Sequence, residues 1–452
     1  MQIQFLGGTG TVTGSKYLVR SKSATVLIDC GLFQGHRQLR ERNWSALPVP
    51  ARDIDAVILT HAHLDHSGYL PLLVRQGFRG NIYCSEATFD LCKLLLPDSG
   101  HLQEEDAAFA NRHGFSKHAP AMPLYTEQDA RQALQYFVPI SFGRAVEVAG
   151  DLRASLAPGG HILGAAIVSL SDGTTTTVFS GDLGRSDDVL MVPPARFEHA
   201  DYVVVESTYG NRRHDRSDPM LPLGQAIRDT VARGGVVVIP AFAIGRVQSL
   251  LYYLHLLKDL GAIPSTLPIY LDSPMAVDAT AIYHKHRAHH RLNPAQCDAM
   301  CHTARMINTV DESKQLDLRR IPMVIISASG MATGGRVLHH LKAFASDPRN
   351  TILFAGFQAA GTRGAALVAG ADTVKIHGVQ VPVRAQVVHV DNLSAHADAD
   401  EIIAWLARCK VPPKKTFVTH GEPEAAAALC QRIENELQWT ASVPAHLDIV
   451  AL

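Results

Sequence analysis

The run His61-Ala62-His63-Leu64-Asp65-His66 follows directly on the apolar stretch Ala56-Val57-Ile58-Leu59. Four side chains able to bind a metal thus fall within six positions, at the C-terminal end of what reads as a buried strand. Crowding them costs free energy unless a cation neutralises the cluster, so this segment constrains fold and chemistry together. Imidazole nitrogens with carboxylate oxygens suit zinc or a similar first-row metal. His61 and His63, two apart in extended chain, point the same way. Asp65 and His66, past the bend, are free to serve a second ion. Single histidines are common in surface turns, but that reading does not account for so dense a pattern.

At 452 residues the chain is too long for one simple core, and two domains are expected. Apolar residues make up 46% and charged residues 19%, the balance of a soluble globular enzyme rather than a disordered chain. Seven cysteines without a CxxC pair argue against a disulfide framework. Cys297 and Cys301 read as core or surface thiols rather than a metal clip. The start, Met1-Gln2-Ile3-Gln4-Phe5-Leu6, reads as a first strand and not as a signal peptide. No stretch is long and apolar enough to span a bilayer, so the cytoplasm is the expected compartment, with no membrane partner.

Net charge is −1, but it is unevenly spread. Residues 208–390 hold 20 Lys and Arg against 12 Asp and Glu, a net of +8. The remainder holds 22 against 31, a net of −9. A basic module beside an acidic, metal-binding one suits a polyanionic substrate.

Short β-branched runs bounded by Gly, Asp, Asn or Ser predict strands at 3–6, 16–19, 25–29, 56–60, 81–84, 167–170, 175–180 and 202–206. Periodicity predicts helices at 68–75, 86–96 and 127–136, and leaves 102–117 unassigned. Residues 209–223 turn polar and basic and read as a linker. A second α/β unit follows, with strands of parallel-sheet character at Val236–Pro240, 269–271 and 323–326 and an amphipathic helix at 246–257. Site chemistry returns in Asn392-Leu393-Ser394-Ala395-His396-Ala397-Asp398 and Thr419-His420-Gly421-Glu422.

Two more ligand candidates stand in loops after predicted strands: His161 in Pro158-Gly159-Gly160-His161, and Asp182 in Phe179-Ser180-Gly181-Asp182. An aspartate can bridge two metals through its two oxygens, with a hydroxide held between the ions. Such a pair polarises a phosphoryl oxygen, generates the nucleophile and stabilises the leaving oxygen.

Asp29 in Leu27-Ile28-Asp29-Cys30-Gly31, the HxHxDH run, His161 and Asp182 resemble, in order, the motifs of the metallo-β-lactamase fold superfamily. Glu206 in Val205-Glu206-Ser207-Thr208-Tyr209-Gly210 resembles the next motif of its β-CASP nuclease branch, which inserts a second domain at this point. Pro240-Ala241-Phe242-Ala243-Ile244-Gly245-Arg246, Asp272-Ser273-Pro274-Met275-Ala276 and Ser329-Gly330-Met331-Ala332-Thr333-Gly334-Gly335-Arg336 look like signatures of that insert, and His396 and His420 like its late histidine motifs. The branch includes the endonuclease subunit of the cleavage and polyadenylation specificity factor and short bacterial homologues.

The resemblance implies an α/β fold: a metallo-β-lactamase αββα sandwich from 1–207 and 391–452, with an inserted α/β β-CASP domain at 208–390. It implies two Zn2+, with Mn2+ as the alternative. One ion would take His61, His63, His161 and Asp182; the other would take Asp65, His66, Asp182 and His420. Asp29 would orient a ligand histidine. Asp65, Glu206 and His396 would be catalytic, with Glu206 holding His396 and His396 protonating the leaving oxygen as general acid. A histidine at position 420 accompanies RNA-cleaving members, so the implied substrate and partner is RNA; a homodimer is compatible. Ser329, Gly330, Arg336 and Ser394 are candidates for RNA phosphate contacts. Phe242 and Tyr209 could stack on bases, although core packing suits them better. Competing expectations are an inactive scaffold in an RNA-processing complex, a thioesterase- or lactonase-like hydrolase, and a DNA nuclease. The filled ligand positions, the basic insert and His420 disfavour these in turn.

Overall fold

The computed structural model describes residues 1–114, 118–359 and 361–452. The chain divides into two compact units, Met1–Arg213 with His396–Leu452, and His214–Ala395. The breaks fall at 213/214 and 395/396, where the sequence motifs placed them at 207/208 and 390/391.

The first unit is built on two seven-stranded sheets. One runs in the order 449–451, 2–5, 17–20, 25–28, 56–58, 81–84, 137–139. The other runs 441–442, 415–419, 202–206, 176–179, 166–171, 152–158, 145–149. Alternate residues of both sheets meet in one core. Phe5, Tyr17, Val26, Ile28 and Ile58 from the first pack with Leu152, Leu156, Val168, Phe179 and Phe417 from the second. The period-two alternation of strands supplies this face. The opposite face of the second sheet, Val178, Val203, Val205 and Val418, is covered by Ile402, Trp405 and Leu406 of helix Ala399–Leu406 and by Leu429 and Ile433 of helix Pro423–Leu437. Capping fits this placement: Asp398 caps the first helix by accepting from the Glu401 amide at 2.9 Å.

The second unit carries a six-stranded sheet in the order 305–306, 269–272, 323–327, 236–240, 351–355, 386–390, with every pairing parallel. Its central strands Val236–Pro240 and Met323–Ser327 are buried throughout, as parallel strands covered on both faces must be. No helix among the described residues is long and apolar enough to cross a membrane.

Strand Ile269–Asp272 ends in a charged knot. The buried Asp272 accepts from His340 Nε2 at 2.7 Å, from Arg336 at 2.7 Å and from the Ser313 hydroxyl. His340, also buried, donates from Nδ1 to Asp317 at 2.7 Å. Burial opposes the imidazolium, but the two carboxylates outweigh it and raise the His340 pKa above 6.5. Its contribution to stability is therefore full below the unfolded pKa of about 6.5 and is lost as pH rises through the higher folded value. His340→Leu should destabilise this unit by about 3 kcal/mol at pH 5.5. Denaturant titrations of both proteins should show that gap closing at alkaline pH; a gap independent of pH would contradict the charged state of His340.

Candidate metal centre

All seven candidate ligands lie in the first unit, and each leaves the end of a strand. His61 and His63 follow strand Ala56–Ile58, with Asp65 and His66 on the short helix Leu64–Ser67. His161 follows Leu152–Pro158, Asp182 follows Thr176–Phe179 and His420 follows Lys415–Thr419. The backbone bends sharply to bring them in. His420 sits at φ +48°, a left-handed conformation that a side chain adopts at a cost, and of the kind that gathers at functional sites. A Cβ on Gly31 would stand 1.6 Å from the Asp65 carbonyl oxygen, so only glycine lets that strand end pass under the helix.

The side chains converge in two groups. His61 Nε2 and His161 Nε2 each lie 3.2 Å from His63 Nδ1. Asp182 Oδ2 closes the group, 3.5 Å from His61 Nε2 and 3.6 Å from His161 Nε2. In the second group Asp182 Oδ1 lies 3.2 Å from His66 Nε2 and 3.5 Å from His420 Nε2, while Asp65 Oδ2 is 3.7 Å from both. Tetrahedral ligands about 2.0–2.1 Å from one zinc stand roughly 3.3–3.4 Å apart. Both groups fit such an ion, and Asp182 offers one oxygen to each.

Electrostatics point the same way. Burial pushes the pKa values of His61, His63 and His161 down, so these imidazoles are neutral and have nitrogen lone pairs to offer. Burial works against the Asp182 carboxylate, but His420 and His66 beside it outweigh that and hold its pKa well below the usual carboxylate range.

The second group has its own supports. Asp29 does not face a ligand position directly. It accepts from the Thr60 amide at 2.7 Å, the Thr60 hydroxyl at 2.8 Å and His66 Nδ1 at 2.7 Å. This turns His66 Nε2 inward, an arrangement that metal ligands commonly use. Ser15 Oγ lies 2.7 Å from His420 Nδ1 and does the same for that ring. Beneath them Lys16 is fully buried, its ammonium on the Gly31 carbonyl and 4.7 and 4.6 Å over the Phe33 and Tyr69 rings. Burial lowers its pKa to about 8. Sequence reasoning missed Thr60, Ser15 and Lys16, because their partners lie up to 405 residues away. Ser15→Ala should weaken the Asp65/His66/His420 position for zinc by about 10–100-fold and leave the other unchanged. Stepwise chelator competition reads both affinities, and equal losses at the two positions would contradict this.

Glu206 and His396 stand beside the cluster. His396 Nδ1 is 3.2 Å from Glu206 Oε1, which also accepts from the Leu183 amide at 2.8 Å. Ligand atoms of Asp182, Glu206 and His396 fall within 4.8 Å of one another. Burial disfavours the charged form of His396, but Glu206 outweighs it and raises the pKa above 6.5. The pair is thus arranged to hold a proton next to the Asp182 carboxylate.

The four expected phosphate contacts lie in the other unit. Ser329 and Gly330 occupy the loop after strand Met323–Ser327, where Ser329 Oγ meets Thr333 Oγ1 at 3.0 Å and the Gly330 carbonyl accepts from Gln358 at 3.2 Å. Ser394 is buried. Arg336 departs from the expectation: its guanidinium is taken up by Asp272 and by the Ile307 and Asn308 carbonyls, so its charge is spent on the fold. Tyr209 is buried and packs within the first unit.

Most of the chain matches known protein families. The Metallo-beta-lactamase superfamily profile matches residues 9–224, the Beta-Casp domain 247–367 and the Zn-dependent metallo-hydrolase RNA specificity domain 380–444. Ribonuclease TTHA0252 of Thermus thermophilus is 35% identical over 443 residues, covering 95% of each chain. Transcription termination factor FttA of Methanosarcina mazei is 31% identical over 471 residues, covering all of this chain and 72% of that one. A crystal structure of a protein of unknown function from Enterococcus faecalis shares the fold at a TM-score of 0.53 and 14% identity, over the whole chain and 99% of that one. The chain therefore belongs to the β-CASP ribonuclease family of the metallo-β-lactamase superfamily, a family of metal-dependent hydrolases.

Proposed function

We propose that the protein is a two-zinc ribonuclease that hydrolyses RNA phosphodiester bonds. The observation that carries this reading is the division of Asp182, one oxygen in each ligand group. His61, His63 and His161 would hold one ion with it, and Asp65, His66 and His420 the other. When bound, the ions supply Lewis acidity toward a phosphoryl oxygen and activate water. The remaining work falls to the protein. Asp29 and Ser15 fix the two rings of the second group. The Glu206 carboxylate holds His396 by Nδ1, leaving Nε2 to deliver a proton to the departing ribose oxygen. RNA as substrate draws support from the RNA specificity profile, from the relative named as a ribonuclease and from the net +8 of residues 208–390.

The test incubates a labelled RNA and the matching DNA with wild type and His396→Ala, with and without chelator. The expected result is RNA cleavage that chelator abolishes and His396→Ala cripples. Cleavage indifferent to both would overturn the mechanism. DNA cut as fast as RNA would overturn the substrate.

A further inference from the structure

Beyond the buried Phe33, the segment that leaves Asp29 makes an excursion whose side chains, Asn43 apart, lie outside the buried core. Its neck is rigid. The buried Asn43 side chain accepts from the Phe33 amide at 2.9 Å and donates to the Phe33 carbonyl at 2.8 Å, closing the loop on itself. The Gln34 amide is tied to Thr13 Oγ1 at 3.2 Å, and the Arg42 guanidinium lies 5.5 Å over the Phe33 ring. The next residue after this clamp is Trp44, and it is 62% exposed. The other two tryptophans, Trp405 and Trp439, are 6% and 7% exposed. The clamp thus fixes an indole, apolar in its body with one N–H donor, in a position open to solvent. The helix Arg37–Arg42 beside it buries none of its residues and carries Arg37, Arg40 and Arg42 against the single carboxylate of Glu41. Glu41 pairs with Arg37 at 2.7 Å, which leaves Arg40 and Arg42 without an acidic neighbour on this helix.

We infer that Trp44, with Arg40 and Arg42, is a stacking platform for single-stranded RNA on the metal-bearing unit. An exposed aromatic ring with arginines two and four residues before it in the chain offers the two needs of a single strand, a π-surface for a base and cations for the adjoining phosphates. The excess of arginine selects a polyanion over an acid-free protein surface. The inference rests on the ribonuclease reading, and extends the substrate contact to residues outside the metal and proton-transfer groups.

The experiment titrates a fluorescein-labelled 15-nucleotide oligoadenylate into His396→Ala protein, so that cutting does not obscure binding. RNA should quench the emission of the solvent-facing Trp44, and that component of the quench should be absent from Trp44→Ala. Adding Trp44→Ala should raise Kd roughly tenfold, the scale of one lost base stack, and Trp44→Phe should restore most of it. Arg40→Gln should flatten the slope of log Kd against log salt by about 0.7. With His396 intact, Trp44→Ala should raise KM while kcat stays within twofold. An unchanged Kd and KM in Trp44→Ala, while wild type still cuts RNA, overturns the platform and leaves the ribonuclease reading standing. A Trp44→Ala variant that binds RNA normally but changes oligomeric state overturns it in favour of a second copy of the chain. Wild type that neither binds nor cuts RNA removes both.

Discussion

Asp182→Asn should lower kcat for RNA by roughly a thousandfold or more, about 4 kcal/mol of transition-state stabilisation, and should cost metal at both positions. The argument is geometric. Each oxygen of this carboxylate closes a different ligand group, at 3.5 and 3.6 Å in one and at 3.2 and 3.5 Å in the other. Asparagine keeps the shape and removes the charge that lets one residue serve two cations. Metal content after exhaustive dialysis should fall below two ions per chain, and circular dichroism should remain that of the wild type. Asp29→Asn is the contrast, since the candidate ligand ring that Asp29 holds directly is that of His66. It should cost about 10–100-fold in affinity at one position. A full metal complement and near-normal kcat in Asp182→Asn would contradict the bridging role.

His396→Ala should lower kcat by about 10²–10⁴-fold, the range of a lost general acid, with metal content unchanged. Glu206→Gln should reproduce part of that loss, and the double variant should be little worse than His396→Ala, because the two groups act as one. The pH profile separates this role from a structural one. His396 must be protonated to act, so activity should be full below its pKa and fall as pH rises through it. Burial depresses that pKa and Glu206 raises it more strongly, to above 6.5. Removing the Glu206 charge should therefore move the alkaline limb to lower pH. A phosphodiester with a nitrophenolate leaving group needs little proton delivery and should be cut almost as well by His396→Ala as by wild type. An equal loss on both substrates would contradict proton donation.

The parts of this fold that sequence reading reached share one property: their signal is local. The apolar strand before His61 and the candidate ligands two apart beyond it are readable because strand period and bend decide where they point. The β-branched strands Asn81–Cys84 and Tyr202–Glu206 lie where their composition put them. Strands Ala145–Ala149 and Leu152–Pro158 escaped because alanine, serine and arginine carry little β-propensity, although Leu152, Ala154 and Leu156 alternate inward. Helix Glu86–His113 was expected to stop at Leu96, before Pro97. It continues through the proline, with Leu95, Leu96, Pro97 and Ser99 buried along that stretch; packing there offsets the hydrogen bond that proline cannot make. It also takes in most of the unassigned 102–117, of which 115–117 lie outside the described residues. The supports of the site were illegible for a different reason. Thr60, Ser15 and Lys16 are ordinary residues until the fold brings Asp29, His420 and Gly31 to them. Arg336 is the opposite case, since a motif arginine beside a glycine-rich loop suggests an anion, and the fold shows Asp272 in its grasp.

The most direct test of the two-ion account is to strip the protein of metal, return zinc in measured equivalents, and follow RNA cleavage against bound ions per chain. The account predicts that activity stays below a tenth of its maximum at one ion per chain and reaches full strength only at two. Full activity at one ion per chain, with no further rise on binding a second, would contradict it.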